Sequence, residues 1–579
     1  MVNKKLMKEM SHITVLDLSF QKLTKVPNLS KYVNLRVLYL NNNNITKLTN
    51  IPRKLVELYC SDNRLTKISG LPSSLRVFDC SYNKLKNIQN LPPLLEEFTC
   101  NNNEIKFLEG IPKNLKVLEC ACNRIRCIDN IPDSITTLDC SKNHLWCISK
   151  LPKNLEYFDC YGNQIKEIDM FPNNLEVLIC SSNLIERLDN VPSSVVEINC
   201  SENNITSLDM LPSGLKYLIC DDNDISNLDM LPHSIIYLNC SSGIIENLDN
   251  LGPNIITLIC SYNEKLTSLN NLPDSIIYLD CSSCYNISSI TIPKNIVMLN
   301  ICGNIITELN NIPNSVQYMY CSNNKLTNLD IAYLENLVKL DCSENYIEEL
   351  KMNKLSNKLK LLDYSTQFES TNNVKLTNGI PDSVEAIYCS NSNLVKLPKL
   401  PSNLKFLDCS YNFIKKLKKL PESLKRLGVH GNNNINLGNL PKNLQCLRCD
   451  YCDLSELNIK HINLTSLICD RNKLTKLELP DGLYSLKCSF NLLEKLNLPD
   501  TVIEVNCNSN YIKNLDKLPN NLLYLEIINN NIDIETFPNI PYNIYNIVSG
   551  HYGEDIIEYK NHGFHCYYYS SLHLETLPY

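Results

Sequence analysis

The sequence predicts a solenoid, a right-handed coil that curves around one long parallel β-sheet, and two observations support this prediction. Between Cys60 and Cys260 a cysteine recurs every 20 residues, and ten of these eleven cysteines are followed three residues later by an asparagine. The core around each cysteine alternates apolar and polar residues, as in Leu58-Tyr59-Cys60. A fixed period of this length is typical of stacked coils, and period-two alternation is typical of a strand. Because every coil repeats the direction of the last, the strands are expected to be parallel.

Most of the 28 cysteines occupy one position of the repeat, which we call the ladder position. The same position holds Leu18, Leu40, Ile301, Tyr364, Val429 and Ile527, so it is expected to be an apolar core position. Stacked strands lie about 4.8 Å apart, whereas the Cβ atoms of a disulfide are about 3.8 Å apart. We therefore expect reduced, buried thiols and no metal site along the ladder. Its cysteines are the eleven from Cys60 to Cys260, then Cys281, Cys321, Cys342, Cys389, Cys409, Cys449, Cys469, Cys488 and Cys507. Cys127 and Cys147, outside the ladder, are also interpreted as core residues.

The rest of the repeat predicts a turn and an extended back. The asparagine after each strand, such as Asn63, is placed to bond the backbone of its own and the adjoining coil. Leu-Pro pairs such as Leu71-Pro72 rule out a long helix and favour extended backbone. The side opposite the sheet is therefore expected to be made mostly of extended segments and turns.

The frame Leu-x-x-Leu-x-Cys-x-x-Asn-x-Leu resembles the leucine-rich-repeat family, with Cys at its third core position. The short unit with Leu-Pro looks like the subclass found in bacterial effectors. The cysteine ladder and the Asn/Ile-rich composition look more like repeat proteins of amoeba-infecting giant DNA viruses. The resemblance implies a leucine-rich-repeat solenoid with its parallel sheet on the concave face, and it implies little about function.

The predicted organisation is one continuous array. It comprises an N-terminal cap at residues 1–12, about 26 repeats over 13–547, and a C-terminal cap or tail at 548–579. The repeat is irregular at 353–381, where Tyr364 replaces Cys and Gln367 replaces Asn. This irregular unit is interpreted as a tolerated loop, with a hinge or docking loop as the alternative.

The net charge and the lack of targeting signals predict an intracellular protein that binds neither nucleic acid nor membrane. The formal net charge of -7 favours neither nucleic acid nor membrane as a partner. No secretory signal and no apolar run of about 20 residues is visible. About 30 residues follow the last repeat, too few for the ubiquitin-ligase domain that bacterial effectors of this subclass carry, so we expect no enzyme. No cofactor and no catalytic residue is predicted. His562, His565 and Cys566 resemble a metal site only weakly, so no metal is predicted either.

The alternation also predicts which residues form the concave, solvent-facing side of the sheet, called the sheet face below. They are the residue just before each ladder position and the residue three before it. These two columns hold fourteen acids, among them Asp139 and Asp159, against four bases, which predicts a basic protein partner. The alternative explanation is that the like charges on this face keep the protein soluble. Near the middle of the chain the columns hold a candidate partner-binding group, unless β-propensity alone accounts for it: Tyr217, Ile219, Tyr237, Ile259, Tyr278, Met298, Tyr318 and Tyr320.

The sequence thus favours a non-catalytic scaffold or adaptor that binds a protein on its concave face. The alternative is a structural or particle-associated protein that self-assembles through the sheet or an edge.

Overall fold

A computed structural model describes residues 12–532 apart from 130, 354–356, 369–373 and 516, and the backbone of three further strands up to residue 567. The chain forms two compact units, Met1–Ile296 and Val297–Tyr579. Each unit is built of stacked coils that contribute a short strand to a parallel sheet. No helix occurs in the described residues. The predicted leucine-rich-repeat solenoid architecture is confirmed.

In the first unit, fourteen three-residue strands pair in sequence order, parallel and in register. Two shorter strands, β14 and β16, form a second small parallel pair. The strands are β1 Val15–Asp17, β2 Val37–Tyr39, β3 Glu57–Tyr59, β4 Val77–Asp79, β5 Glu97–Thr99, β6 Val117–Glu119, β7 Thr137–Asp139, β8 Tyr157–Asp159, β9 Val177–Ile179, β10 Glu197–Asn199, β11 Tyr217–Ile219, β12 Tyr237–Asn239, β13 Thr257–Ile259, β14 Ser268–Leu269, β15 Tyr278–Asp280 and β16 Ser289–Ile290.

The second unit repeats this plan and ends in an antiparallel hairpin of β33 and β34. Strands β19, β21 and β23 form a separate parallel sheet. The strands are β17 Met298–Asn300, β18 Tyr318–Tyr320, β19 Asn328–Asp330, β20 Lys339–Asp341, β21 Glu349–Lys351, β22 Leu361–Asp363, β23 Lys375–Thr377, β24 Ala386–Tyr388, β25 Phe406–Asp408, β26 Arg426–Gly428, β27 Cys446–Arg448, β28 Ser466–Ile468, β29 Ser485–Lys487, β30 Glu504–Asn506, β31 Tyr524–Glu526, β32 Asn546–Ser549, β33 Ile556–Lys560 and β34 Gly563–Tyr567.

In most coils a buried asparagine forms hydrogen bonds to the coil before it. The side-chain amide of Asn123 donates to the carbonyl oxygens of Cys100 (3.0 Å), Cys120 (3.1 Å) and Ala121 (3.2 Å). Its Oδ1 accepts the backbone N–H of Ile105 at 2.9 Å. One side chain therefore satisfies four backbone groups in two coils, as the sequence predicted.

Residues that replace this asparagine show what the turn requires. Gln367 makes the same four kinds of contact, donating to the carbonyls of Cys342, Tyr364 and Ser365 and accepting from Ile347 N. In the coil that holds Cys452, the thiol donates to the carbonyls of Val429 and Asp450 instead. A glutamine amide or a cysteine thiol can therefore take the place of the asparagine and reach the carbonyls of two adjacent coils.

The cysteine ladder lies in the core, as predicted, and every ladder cysteine is buried and outside any disulfide. Burial raises the pKa of the Cys140 thiol well above its usual range, and it does the same for the neighbouring ladder thiols of Cys120 and Cys160. The interpretation of Cys127 and Cys147 as core residues is wrong. They precede the core residues Ile128 and Ile148 by one position, so Cys127 is exposed and Cys147 is half-buried.

The ladder leads to a prediction about thiol reactivity. In the native protein only five described thiols are exposed or half-buried, namely those of Cys122, Cys127, Cys147, Cys302 and Cys446. Maleimide labelling of native protein should modify these rapidly, and the 22 buried thiols should react only after unfolding, because a thiolate must reach solvent to react. Mass spectrometry of labelled peptides measures both classes. Fast native labelling of Cys140 or Cys160, or disulfides between ladder positions, would contradict the buried ladder.

Candidate protein-binding surface on the sheet

The sheet face of each unit is formed by the first and third residue of each three-residue strand of its main sheet, from β1 to β31 without β14, β16, β19, β21 and β23. In β4, Phe78 is fully buried while Val77 and Asp79 are half-buried, and the same alternation holds in most strands of the sheet. The eight predicted binding residues all occupy first or third positions and none of them is buried. Five belong to the first unit and three to the second, and each group is described by itself.

In the first unit the pair Tyr217 and Tyr237 stands side by side, because β11 and β12 pair in register at these positions. Tyr217 is 42% exposed and Tyr237 is half-exposed. Ile219 and Ile259 are separated by Asn239, and Thr257 stands between Tyr237 and Tyr278. The group is therefore an interrupted amphipathic surface with one continuous aromatic pair.

In the second unit Met298 is the register partner of Tyr318, which is 37% exposed. The ammonium group of Lys339 lies 4.7 Å from the ring centroid of Tyr320. One face of that ring is thus occupied by a cation from the next strand of the sheet.

An acidic strip lies on the sheet face of the first unit and consists of Glu119, Asp139 and Asp159, which are direct register partners on β6, β7 and β8. Burial raises the pKa of Asp159 to about 6, and the carboxylate of Asp139 adds to this increase. The backbone N–H of Tyr161 donates to Asp159 Oδ1 at 2.9 Å, and this hydrogen bond lowers the pKa of Asp159. Three carboxylates at a strand spacing of about 4.8 Å repel one another at neutral pH, and a bound cationic group would relieve this repulsion.

The raised pKa of Asp159 predicts how stability depends on pH. A carboxyl whose pKa is higher in the folded state weakens the fold as pH rises from about 4 to about 6, and its effect is constant above that. The variant Asp159→Asn should therefore melt at a higher temperature than the parent at pH 7.5, with most of the difference gone at pH 4. Asn199 shows that the turn accepts an amide there, because its Oδ1 accepts Ser201 N at 3.2 Å. Thermal melts across this range measure the effect, and an equal shift at both pH values would contradict the assignment.

The second unit contains a Ser-His-Asp grouping that the sequence analysis did not find. Ser410 Oγ donates to Asp408 Oδ1 and lies 2.5 Å from His430 Nδ1. Asp408 and His430 are brought together because they occupy adjacent coils, and no local sequence spacing signals this. Ser410 is fully buried, so the grouping presents no nucleophile to solvent. Its role is to satisfy polar groups beside the sheet.

The described part of the chain meets the requirements of neither a metal site nor a membrane-spanning helix. No cluster of three or more His, Cys, Asp or Glu side chains suited to a metal ion occurs there. The described residues also contain no helix with the length and apolarity needed to cross a bilayer. The side chains of His562, His565 and Cys566 lie outside the described residues, as do most of the predicted caps.

The in-register coils of about 20 residues, the three-residue parallel strands and the asparagine turns are the features of a leucine-rich-repeat solenoid fold. A family model described as leucine rich repeats (2 copies) matches residues 11–53. No curated protein sequence matches the chain.

Two solved structures have a similar fold over most of the chain. YopM from Yersinia enterocolitica WA-314 is 25% identical with a TM-score of 0.50, and the match covers 91% of this chain and 94% of YopM. CroV588 from a giant virus, described as a novel circular leucine-rich-repeat protein, is 18% identical with a TM-score of 0.52. That match covers 94% of this chain and 93% of CroV588. The predicted resemblance to effector and giant-virus repeat proteins is therefore confirmed as a resemblance of fold.

Proposed function

We propose that this chain is a non-catalytic scaffold that binds a basic protein partner on the sheet face of its first unit. The observation that carries the proposal is the pairing of Tyr217 with Tyr237 on adjacent strands. Tyrosine offers a large amphipathic contact area and loses little side-chain entropy when it is fixed, which is why it recurs in binding hot spots.

The surroundings of this pair support a basic partner. The acidic strip at Glu119, Asp139 and Asp159 lies on the same sheet face, on one side of the tyrosine pair. Asp280 lies on the same face, on the other side of the pair. Charges at the rim of an interface mainly speed association and select partners of opposite charge. The tyrosine pair would thus supply most of the affinity and the acidic strip would supply attraction. Met298, Tyr318 and Tyr320 of the second unit stay a prediction from the sequence.

Site-specific photocrosslinking in cells tests the proposal. A photoreactive phenylalanine analogue would replace Tyr217 or Tyr237, and in a control it would replace Met210, which is 73% exposed and lies outside the sheet. The proposal predicts one shared basic protein linked at both tyrosine positions and not at Met210. Linkage only to a second copy of this chain would favour self-assembly. A partner linked at Met210 alone would overturn the assignment of the surface.

A further inference from the structure

Three consecutive coils of the second unit carry an exposed surface without acidic residues, away from the sheet face. The segments 390–399, 410–419 and 430–439 run from the end of a strand across the back of each coil and contain no Asp or Glu. The first two of them hold six exposed lysines in a chain whose net charge is -7. We call these the lysine patch: Lys396, Lys399, Lys415, Lys416, Lys418 and Lys419.

The backbone fixes the lysines of the patch side by side. Phe413 N donates to Leu394 O at 2.9 Å, which ties the coil of Lys415 to that of Lys396. On the other side, Lys416 forms a parallel bridge with Asn436. Ile414, Leu417 and Leu420 alternate with the lysines and are buried, so the lysines project outward. Adjacent coils lie about 4.8 Å apart, and the ammonium groups are therefore crowded.

The lysines of the patch make no contact with a carboxylate within the described part of the chain, and the nearest carboxylate in the sequence is that of the exposed Glu422. None of its lysines forms an ion pair there, and Lys415 Nζ donates only to the backbone oxygen of Asn433 at 3.0 Å. Elsewhere in the same unit, Lys405 and Lys360 both contact Glu385. Crowded, unpaired ammonium groups repel one another, and a bound polyanion would lower that repulsion.

Aromatic rings and amides stand next to these lysines. Phe413 is 59% exposed and Tyr411 is 55% exposed, and both precede Lys415 on the same coil. The next coil presents the exposed amides of Asn433, Asn434 and Asn436. An acidic protein needs only the charges, whereas exposed rings beside ammonium groups match a ligand that has both phosphates and unpaired bases.

We propose that the lysine patch, with Phe413 and Tyr411, binds single-stranded nucleic acid with little sequence preference. Lysines would neutralise successive phosphates, and the rings would stack on bases. This surface is separate from the proposed partner-binding surface and adds a second ligand class. The net charge of the whole chain concealed it from the sequence analysis, although the run Lys415-Lys416-Leu417-Lys418-Lys419 was a local signal.

Fluorescence anisotropy with labelled dT20 and the full chain tests the charge contribution. The fourfold variant Lys415→Gln, Lys416→Gln, Lys418→Gln and Lys419→Gln removes four contacts. At about 0.7 per phosphate, the slope of log affinity against log salt should become shallower by about 2.8. Between 50 and 200 mM salt the parent should thus lose about 50-fold more affinity than this variant. The matched control, with the same change of net charge at scattered exposed positions, is Lys166→Gln, Lys216→Gln, Lys325→Gln and Lys476→Gln.

Phe413→Ala separates nucleic acid from other polyanions. It should weaken dT20 binding about tenfold, because stacking on one ring is lost, while leaving weak binding of polyglutamate unchanged. Circular dichroism checks that every variant keeps its fold. The proposal is overturned if the parent does not bind dT20 at 50 mM salt, or if the control and patch variants lose affinity equally. It is also overturned if polyglutamate or phosphatidylserine vesicles bind more tightly than dT20 with no dependence on Phe413.

Discussion

Replacing Asn123 by leucine should lower the free energy of unfolding by about 3 kcal/mol or more. Leucine has nearly the same shape as asparagine, so the change removes polar contacts with little change of volume. The buried N–H of Ile105 would lose its partner, and the carbonyl oxygens of Cys100, Cys120 and Ala121 would each lose one of the hydrogen bonds that they now accept. A buried polar group without a partner costs about 1–3 kcal/mol, and the loss would affect two coils together.

Two variants make this prediction specific. Asn123→Ser should cost clearly less, because Ser392 fills the equivalent turn and donates to the carbonyl oxygens of Tyr364 and Ser390 at 3.0 Å. Asn87→Leu, at an exposed position in the same unit, should change stability by no more than about 0.5 kcal/mol.

Denaturant titration and native-state hydrogen exchange give independent measurements of the effect. Repeat proteins can unfold in parts, so the local measurement matters. The N–H of Ile105 donates to Asn123 Oδ1 and should exchange much faster in Asn123→Leu. An unchanged midpoint together with unchanged protection of Ile105 would show that the asparagine turns do not hold adjacent coils together.

The double variant Tyr217→Ala and Tyr237→Ala should weaken binding of the crosslinked partner at least a hundredfold. Truncation of a tyrosine hot spot commonly costs about 2 kcal/mol, which is about 30-fold in affinity. The effects of two adjacent hot spots are not strictly additive, so the product of the two roughly 30-fold losses, about 900-fold, is an upper limit. Both rings stand on the sheet face, so the coils should stay folded.

The matched control is Tyr262→Ala with Tyr285→Ala, two exposed tyrosines of the same unit that lie outside the sheet. Surface plasmon resonance would measure both rates. A third variant, Asp139→Lys, should slow association at 50 mM salt and approach the parent rate at 500 mM, because salt screens rim charges. Equal affinities for the parent and the double tyrosine variant would remove the tyrosine pair from the interface.

The sequence was sufficient to predict the coils, the strands and the facing of the side chains. The 20-residue spacing of residues such as Cys120 and Cys140 sets the register, and period two sets which residues are buried. Cys127 was misassigned because it lies one position before Ile128, and such a shift moves a side chain from core to solvent.

Other features have no simple signal in the sequence. The residue two after the ladder position has a left-handed backbone, with φ of 52° at Tyr82 and 55° at Cys122. Glycine is the usual marker of that conformation, and here the neighbouring coils impose it on other residues. Likewise, the contact of Ser410 with His430 arises from stacking residues 20 apart in the sequence, which local motifs do not show.

Hydroxyl-radical footprinting of the full chain, alone and with its partner, is the most direct test of the sheet face as the binding surface. Radicals oxidise exposed aromatic and methionine side chains, so one experiment reports on several surfaces. Binding on the sheet face predicts slower oxidation of Tyr217 and Tyr237 in the complex, with Trp146, Met170 and Met210 unchanged. These three side chains are 63%, 70% and 73% exposed and lie outside the sheet. Protection of Trp146, Met170 or Met210 with no change at the two tyrosines would contradict the proposed function.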